Sequence, residues 1–212
     1  MSLEQLILRM KERNILQSDL LEKAFMEVDR RDYVPPSVLS SCYEDRPLPI
    51  GEGQTISQPS TVAFMLELLQ AETGNRVLDV GSGSGWTTAL LAWLVGEEGH
   101  VVGLERISFL AEFGKNNLAK KKWMNAEIYH ANGNEGWPDE APYDRILVSA
   151  AAGEVPEALV SQLNDGGRLV IPLRDARGNM LLMWKNREGT IGKEYYPGFA
   201  FVPFVVTDER KK

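Results

Sequence analysis

The sequence predicts an α/β fold: a mostly parallel, doubly wound sheet with helices on both faces and a C-terminal antiparallel strand or hairpin. Three observations predict it. Between Arg76 and Pro172, short runs rich in β-branched residues alternate with helical repeats, the pattern of a parallel sheet covered on both faces. The first run, Val77, Leu78 and Val80, is closed by alternating glycines at 81, 83 and 85 before a helical pattern begins at Trp86. Such a turn bares main-chain N–H groups and lets a ligand approach closely, so it marks a cofactor site. Beyond Pro172 the helical repeats stop and only strand-like runs remain.

The elements follow in chain order. Leu3, Leu6, Ile7 and Met10 recur at i, i+3, i+4 and i+7, an amphipathic helix, and Ser18 or Asp19 caps a second that carries Leu20, Leu21, Ala24, Phe25 and Val28. Neither holds chemistry. From Arg30 to Pro59 five prolines and two glycines break every period, yet Tyr33, Val34, Leu39, Tyr43, Leu48, Ile50 and Ile56 predict an ordered loop packed on the core. A helix over Thr61–Leu69 sets Val62, Met65, Leu66 and Leu69 on one face. After the glycine turn come a strand over Val101–Leu104 ending at Glu105, a helix from Ile107 to about Lys122, and a third strand over Ala126–His130. A fourth strand over Arg145–Ser149, a helix in VPEALVSQL, a turn at Asn164–Gly167 and a fifth strand over Arg168–Pro172 complete the alternation. Strands at Met180–Lys185, Ile191–Tyr195 and Phe199–Val206 then close the sheet edge, and DERKK reads as a solvated tail. The whole is one domain: residues 1–59 as N-terminal helices and a covering arm, 60–172 as the cofactor-binding core, and 173–212 as C-terminal strands.

Composition bounds the function. With 212 residues, 43% hydrophobic and 25% charged, the chain can bury a full core. A net charge of -7 argues against nucleic acid, which needs a cationic face, and Lys120–Lys122 reads as the wet end of a helix. Cys42 is the only cysteine, so no disulfide forms within the chain, and His100 and His130 lie far from any Cys or His cluster, so no metal is expected. The absence of a charged-then-apolar leader at Met1 and of a long apolar span points to a cytoplasmic protein without membrane contact.

Spacing at the glycine turn narrows the cofactor. A dinucleotide fingerprint needs its third glycine three residues beyond the second, where this chain has Trp86. A phosphate-binding P-loop needs Lys and Ser or Thr after its last glycine, and Gly85 is followed by Trp86 and Thr87. Both are disfavoured. About twenty residues on, Glu105 ends the second core strand, where a carboxylate can accept from both ribose hydroxyls because neighbouring strand ends converge on one crevice. The plainer alternative for Glu105 is a solvated helix-start residue facing Arg106.

What remains at the turn is D-x-G-x-G-x-G, Asp79 to Gly85, which resembles the first motif of the S-adenosylmethionine-dependent methyltransferases. Upstream, RRDYVP, YEDRPLPIG and GQTISQP, in that order, with EGWPDEAPYD downstream, resemble the protein-L-isoaspartate O-methyltransferase family. The likeness runs from about Arg30 to Pro172, and more thinly through FVPF at Phe201–Phe204. It implies a Rossmann-like methyltransferase fold, S-adenosyl-L-methionine as cofactor, and methyl transfer to the free α-carboxylate of L-isoaspartyl residues in damaged proteins and peptides. The expected state is a monomer.

By that resemblance the cofactor is bound by Gln54, Thr55, Ile56, Ser57, Asp79, Gly81, Ser82, Gly83, Gly85, Glu105, Arg106, Asn132 and Gly133. Gln54 to Ser57 would also close over it, and Phe201–Phe204 would line a peptide groove. Asp79 either orders the glycine turn or faces the methionine ammonium; Trp86 either walls the site or is core. Asp45 and Asp144 have no role beyond the resemblance.

The chemistry fits the residues available. A carboxylate with a pKa of about 4 is ionised at pH 7 and needs no general base, which accounts for the lack of a His-Asp pair or an activated Cys. The protein must instead desolvate and align it, and Ser57 in GQTISQP is the expected catalytic residue, hydrogen-bonding the substrate carboxylate. Ser57 also fits a helix N-cap before Pro59. Two departures from the family stand out: Asn132-Gly133 replaces the usual Asp-Gly, and Val62 lies where some members carry a histidine. An amide oxygen still accepts from an adenine amino group, so weaker adenine binding is expected. A methyltransferase for another substrate and an inactive S-adenosylmethionine-binding module remain the rivals.

Overall fold

The computed structural model describes residues 1–185 and 188–205. Helix α1 (Leu3–Glu12) opens with a capping box between Ser2 and Gln5, and Ser18, not Asp19, caps α2 (Asp19–Glu27). The proline-rich stretch is ordered, as its apolar residues predict. It folds into two 3-10 turns, Arg30–Tyr33 and Pro36–Ser41, and an antiparallel hairpin of β1 (Leu48–Gly51) and β2 (Gln54–Ile56). Helix α3 (Pro59–Leu69) starts two residues ahead of the expected Thr61, because proline's fixed φ suits the first helical position.

Strands β3 (Arg76–Val80), β4 (His100–Glu105), β5 (Ala126–His130), β6 (Tyr143–Val148), β7 (Leu163–Pro172), β8 (Met180–Lys185) and β9 (Ile191–Tyr196) form a seven-stranded sheet. Its order is β5-β4-β3-β6-β7-β8-β9, parallel from β5 to β7 and closed at the edge by the antiparallel hairpin β8–β9. α4 (Trp86–Val95) and α5 (Ser108–Lys121) link β3 to β4 and β4 to β5, after which the chain crosses to β6 on the other side of β3. The strand order therefore switches between β3 and β6. A crevice opens at the C-terminal ends of strands at such a point.

Alternation along the strands divides the core. Val77, Val101, Leu147 and Val170 face the cluster built by α1 to α5, while Leu78, Val80, Val102, Ile146 and Leu169 face one to which α6 (Glu157–Ser161) contributes Leu159. Both faces carry helix, but unequally.

Three sequence expectations are corrected. The helix in VPEALVSQL is only Glu157–Ser161, since Pro156 stands before its start and Leu163 already belongs to β7. Asn164–Gly167 does not precede the fifth strand but bulges inside it, for Tyr143 pairs with Leu163 and Arg145 already with Arg168. The strand expected at Phe199–Val206 is absent over 199–205, and Val206 and the tail lie outside the described residues. Pro203 has no N–H to give a ladder, and the segment makes one isolated bridge to Ala151 as it crosses the strand ends.

Candidate cofactor and substrate site

The site begins where β3 ends. Val80 passes into a turn held by Gly81 and Ser82 N–H groups donating to the Leu104 carbonyl at 2.8 and 3.1 Å, with Gly85 N–H donating to Ser82 at 2.8 Å. Gly81, Gly83 and Gly85 are all left-handed, and a Cβ on Gly85 would come within 3.1 Å of the Gly114 carbonyl. Gly85 is thus a packing requirement behind the turn.

Asp79 is fully buried, and its Oδ2 accepts from the Thr87 and Thr88 hydroxyls at 2.8 and 2.7 Å. It ties the first turn of α4 to β3, which supports the ordering role; it does not line the cleft in front of the glycines. Burial, opposed by those two hydroxyls and aided by nearby Glu105, pushes its carboxyl up to about 6. A pKa above the ordinary 3.8 means that the folded chain holds a proton that the unfolded chain releases, so the contribution of Asp79 to stability falls as pH rises from about 4 to about 6. Asp79→Asn has no such proton. Denaturant unfolding at pH 4.5 and pH 7 should therefore show the variant gaining on the wild type by up to about 2 kcal/mol at the higher pH; parallel profiles would show that Asp79 titrates normally.

Glu105 is 6% exposed, so the solvated alternative is overturned. Its Oε2 accepts from Gly83 N–H at 3.1 Å and its Oε1 from Ile107 N–H at 2.8 Å. Burial raises its pKa and these N–H groups oppose the rise. The two contacts fix the carboxylate and still leave lone pairs, since a carboxylate offers about four acceptor positions. Beyond β5, Asn132 Oδ1 accepts from Asn134 N–H at 3.1 Å and so shapes the next turn, and Gly133 is pressed against the sheet: a Cβ there would meet Val80 Cγ1 at 2.1 Å.

Across from this floor lies the hairpin β1–β2 and the residues that follow it. They are held by Arg30, which the sequence reading passed over. Its guanidinium, 1% exposed, donates to five carbonyls: Cys42 at 2.8 Å, Glu44 at 3.2 Å, Arg46 at 3.1 Å, Ile56 at 3.4 Å and Ser57 at 2.9 Å. It also sits 5.4 Å from the ring centroid of Trp86. Trp86 plays both expected parts, lining the cleft while its Nε1 donates to the Val28 carbonyl and its ring meets Phe25 edge-on.

Ser57 is not a cap. Gln58 precedes α3 without a side-chain cap bond, and Asp45 takes that duty, accepting from Ser60 N–H at 2.9 Å and Ser60 Oγ at 2.6 Å. Asp144 is structural too, accepting from Arg76 N–H and the Asn164 amide. Val62 is buried in α3 and does not reach the cleft.

Cover and floor face each other across a cleft whose open space, solvent at its mouth included, is about 830 Å³. Of the residues expected to bind the cofactor, Gln54, Thr55, Ile56, Ser57, Gly81, Ser82, Gly83, Glu105, Arg106, Asn132 and Gly133 line it, whereas Asp79 and Gly85 stand behind its wall. Ile50, Ile107, Leu110 and Ser149 also line it and were missed, and Phe204, expected in a peptide groove, lines this cleft. A second groove of about 800 Å³, lined by Pro47, Gln58, Thr61, Ala200 and Phe201, shares Thr55, Ser57, Ser149 and Val202 with the first. Among the described residues no cluster of His, Cys, Asp and Glu could hold a metal, and no helix is long and apolar enough to cross a membrane.

The profile of the family described as protein-L-isoaspartate(D-aspartate) O-methyltransferase matches residues 1–210. The chain belongs to this family. Among its relatives, the protein-L-isoaspartate O-methyltransferase of Methanopyrus kandleri is 44% identical over 204 residues, 95% of this chain and 90% of the relative. That of Ignicoccus hospitalis is 45% identical over 185 residues, 86% of this chain and 87% of its own. Among solved structures, a provisionally named protein-L-isoaspartate O-methyltransferase from Plasmodium falciparum, in complex with S-adenosyl-L-homocysteine, superposes with a TM-score of 0.86 at 30% identity, covering 96% of this chain and 98% of that one. The Rossmann-like methyltransferase fold expected from the glycine turn is the fold of this isoaspartyl methyltransferase family.

Proposed function

We propose that this chain is a single methyltransferase domain that transfers the methyl group of S-adenosyl-L-methionine to the α-carboxylate of L-isoaspartyl residues in damaged proteins and peptides. The observation that carries the proposal is the position of Ser57. It lies on the seam between the cleft at the glycine turn and the open groove, its main chain clamped by Arg30 and its hydroxyl without a hydrogen-bond partner among the described residues. A half-buried hydroxyl with unused donor capacity at such a seam suits an incoming anion.

When bound, the cofactor supplies a sulfonium methyl that passes to a carboxylate oxygen while the methyl–sulfur bond breaks with its electron pair left on sulfur, so no proton moves. The chain's own residues hold and align. Glu105 would accept from the ribose hydroxyls and Asn132 from the adenine amino group, while the main chain of Gly81–Gly83, its N–H groups taken by Leu104 and Glu105, would pass close to the methionine part. Gln54 to Ile56 exclude water from above, and Ser57 donates to the substrate carboxylate. The second groove, with Phe201 and Val202 on one side, takes the peptide. A monomeric enzyme in the cytoplasm is the setting we favour, supported by the buried, unpaired Cys42.

Labelled S-adenosylmethionine offered with an isoaspartyl peptide and its normal aspartyl twin tests this directly: only the first should take up label. Ser57→Ala should lower turnover roughly 10- to 100-fold, the worth of one hydrogen bond to a charged group, while S-adenosylhomocysteine affinity by calorimetry stays within about twofold. Label in both peptides or neither defeats the substrate assignment, and full turnover by the variant removes Ser57 from it.

A further inference from the structure

Ser149 is the first residue after β6, at the point where the strand order switches. Its N–H donates to the Val80 carbonyl at 2.8 Å, extending the β3–β6 pairing by one rung, and its Cβ would lie 3.6 Å from a Cβ placed on Gly81. It therefore stands beside the glycine turn on the sheet side of the site, opposite the arm that carries Ser57. Ala150, Ala151 and Ala152 follow, so Ser149 brings the only side-chain polar group of that strand end.

Several hydroxyls of the described residues are committed to the fold. Ser2 and Ser18 cap helices, Ser60 binds Asp45, and Thr87 and Thr88 bind Asp79. Ser149, half-buried, has no hydroxyl partner among the described residues, and with Thr55, Ser57 and Val202 it lines both the cleft and the groove. Ser57, on the arm, and Ser149, at the strand end, are thus the two serines common to cleft and groove; Thr55 shares that place, and the buried Ser82 hydroxyl, unpartnered among the described residues, belongs to the cleft alone.

We infer that Ser149 is a second catalytic-site donor to the substrate carboxylate, so that the anion is gripped by Ser57 from the arm and by Ser149 from the sheet. This rests on the proposed function. A carboxylate held by one donor still swings about that bond; two donors from opposite sides fix its plane and leave one lone pair of the attacking oxygen free. Fixing orientation in this way is what a reaction without proton transfer requires of its enzyme.

The test measures binding as well as turnover. With S-adenosylhomocysteine present, calorimetry compares an isoaspartyl peptide with the same peptide bearing a carboxamide in place of the α-carboxylate. Ser149→Ala should weaken the carboxylate peptide roughly 10- to 100-fold, with kcat/KM falling in step, while the carboxamide peptide and S-adenosylhomocysteine bind as in the wild type. Ser149→Thr, which keeps the hydroxyl, should recover most of the preference for the carboxylate. If the wild type labels the isoaspartyl peptide but Ser149→Ala keeps the full preference, the inference falls alone. If the wild type does not label that peptide, the proposed function falls and takes the inference with it.

Discussion

Replacing Arg30 with methionine should destabilise the protein by about 3 to 5 kcal/mol, the cost of emptying a buried charged site whose partners stay behind, and weaken S-adenosylhomocysteine binding and methyl transfer together. The cause is the position of the five carbonyls. Cys42, Glu44 and Arg46 precede the hairpin β1–β2, whereas Ile56 ends it and Ser57 follows it, so one planar fork closes the hairpin at its base. Methionine fills much of the volume but leaves these acceptors facing an apolar group. Lysine is the sharper comparison: it keeps the charge with only three donors on a single nitrogen, and cannot reach both sides of the hairpin in the fixed geometry of a guanidinium. Arg30→Lys should fall between wild type and Arg30→Met in urea unfolding and in calorimetric affinity. Burial lowers the guanidinium pKa to about 10, still far above neutrality, so the charge is present at pH 7. Equal stability and equal affinity in Arg30→Met would mean that the arm is held by its apolar contacts alone.

Arg30 also marks the limit of what the sequence discloses. The strands around the glycine turn are legible because the signal is local: β-branched runs, then glycines, then a helical repeat, each within a dozen residues. The end of β4 is legible for the same reason, and with it Glu105. The carbonyls around Arg30 lie 12 to 27 residues away and carry no side-chain signature, so no pattern reveals them. Within the motif itself, adjacency misleads. Asp79 and Val80 point to opposite faces of β3, as strand alternation dictates, and only the end of the strand opens on the cleft. Asp79 and Gly85 therefore serve the turn from behind while Gly81 and Gly83 line the wall. Ser149 was within reach: the fourth core strand was expected at Arg145–Ser149 and lies at Tyr143–Val148, and the residue at its end by a switch point invites the same reasoning as Glu105. Phe199–Val205 was not, because apolar alternation resembles a strand even where Pro203 denies it a ladder.

Glu105→Gln should raise the dissociation constants of S-adenosylmethionine and S-adenosylhomocysteine roughly 100-fold or more, since hydrogen bonds to a charged group are worth about 1.5 to 3 kcal/mol each and at least two are lost. The substitution preserves size and tests acceptor capacity alone. In the native site both carboxylate oxygens already accept main-chain N–H groups, from Gly83 on the turn and from Ile107 at the start of α5. An amide has one acceptor oxygen and an NH2 that only donates, so whichever way the introduced glutamine side chain turns, its NH2 faces an N–H. The side chain must then rotate or the turn must give way, and either movement withdraws the acceptors from the ribose. Because Gly83 lines the cofactor cleft, the loss propagates to the glycine turn, and hydrogen exchange at the Gly81–Gly85 amides should quicken in the unliganded variant. Turnover at saturating cofactor should fall far less than affinity, because Glu105 lies off the seam where Ser57 and Ser149 border the second groove. A dissociation constant within about threefold of the wild type would exclude Glu105 as the ribose ligand, and unchanged exchange at the turn would show that its bond to Gly83 contributes little.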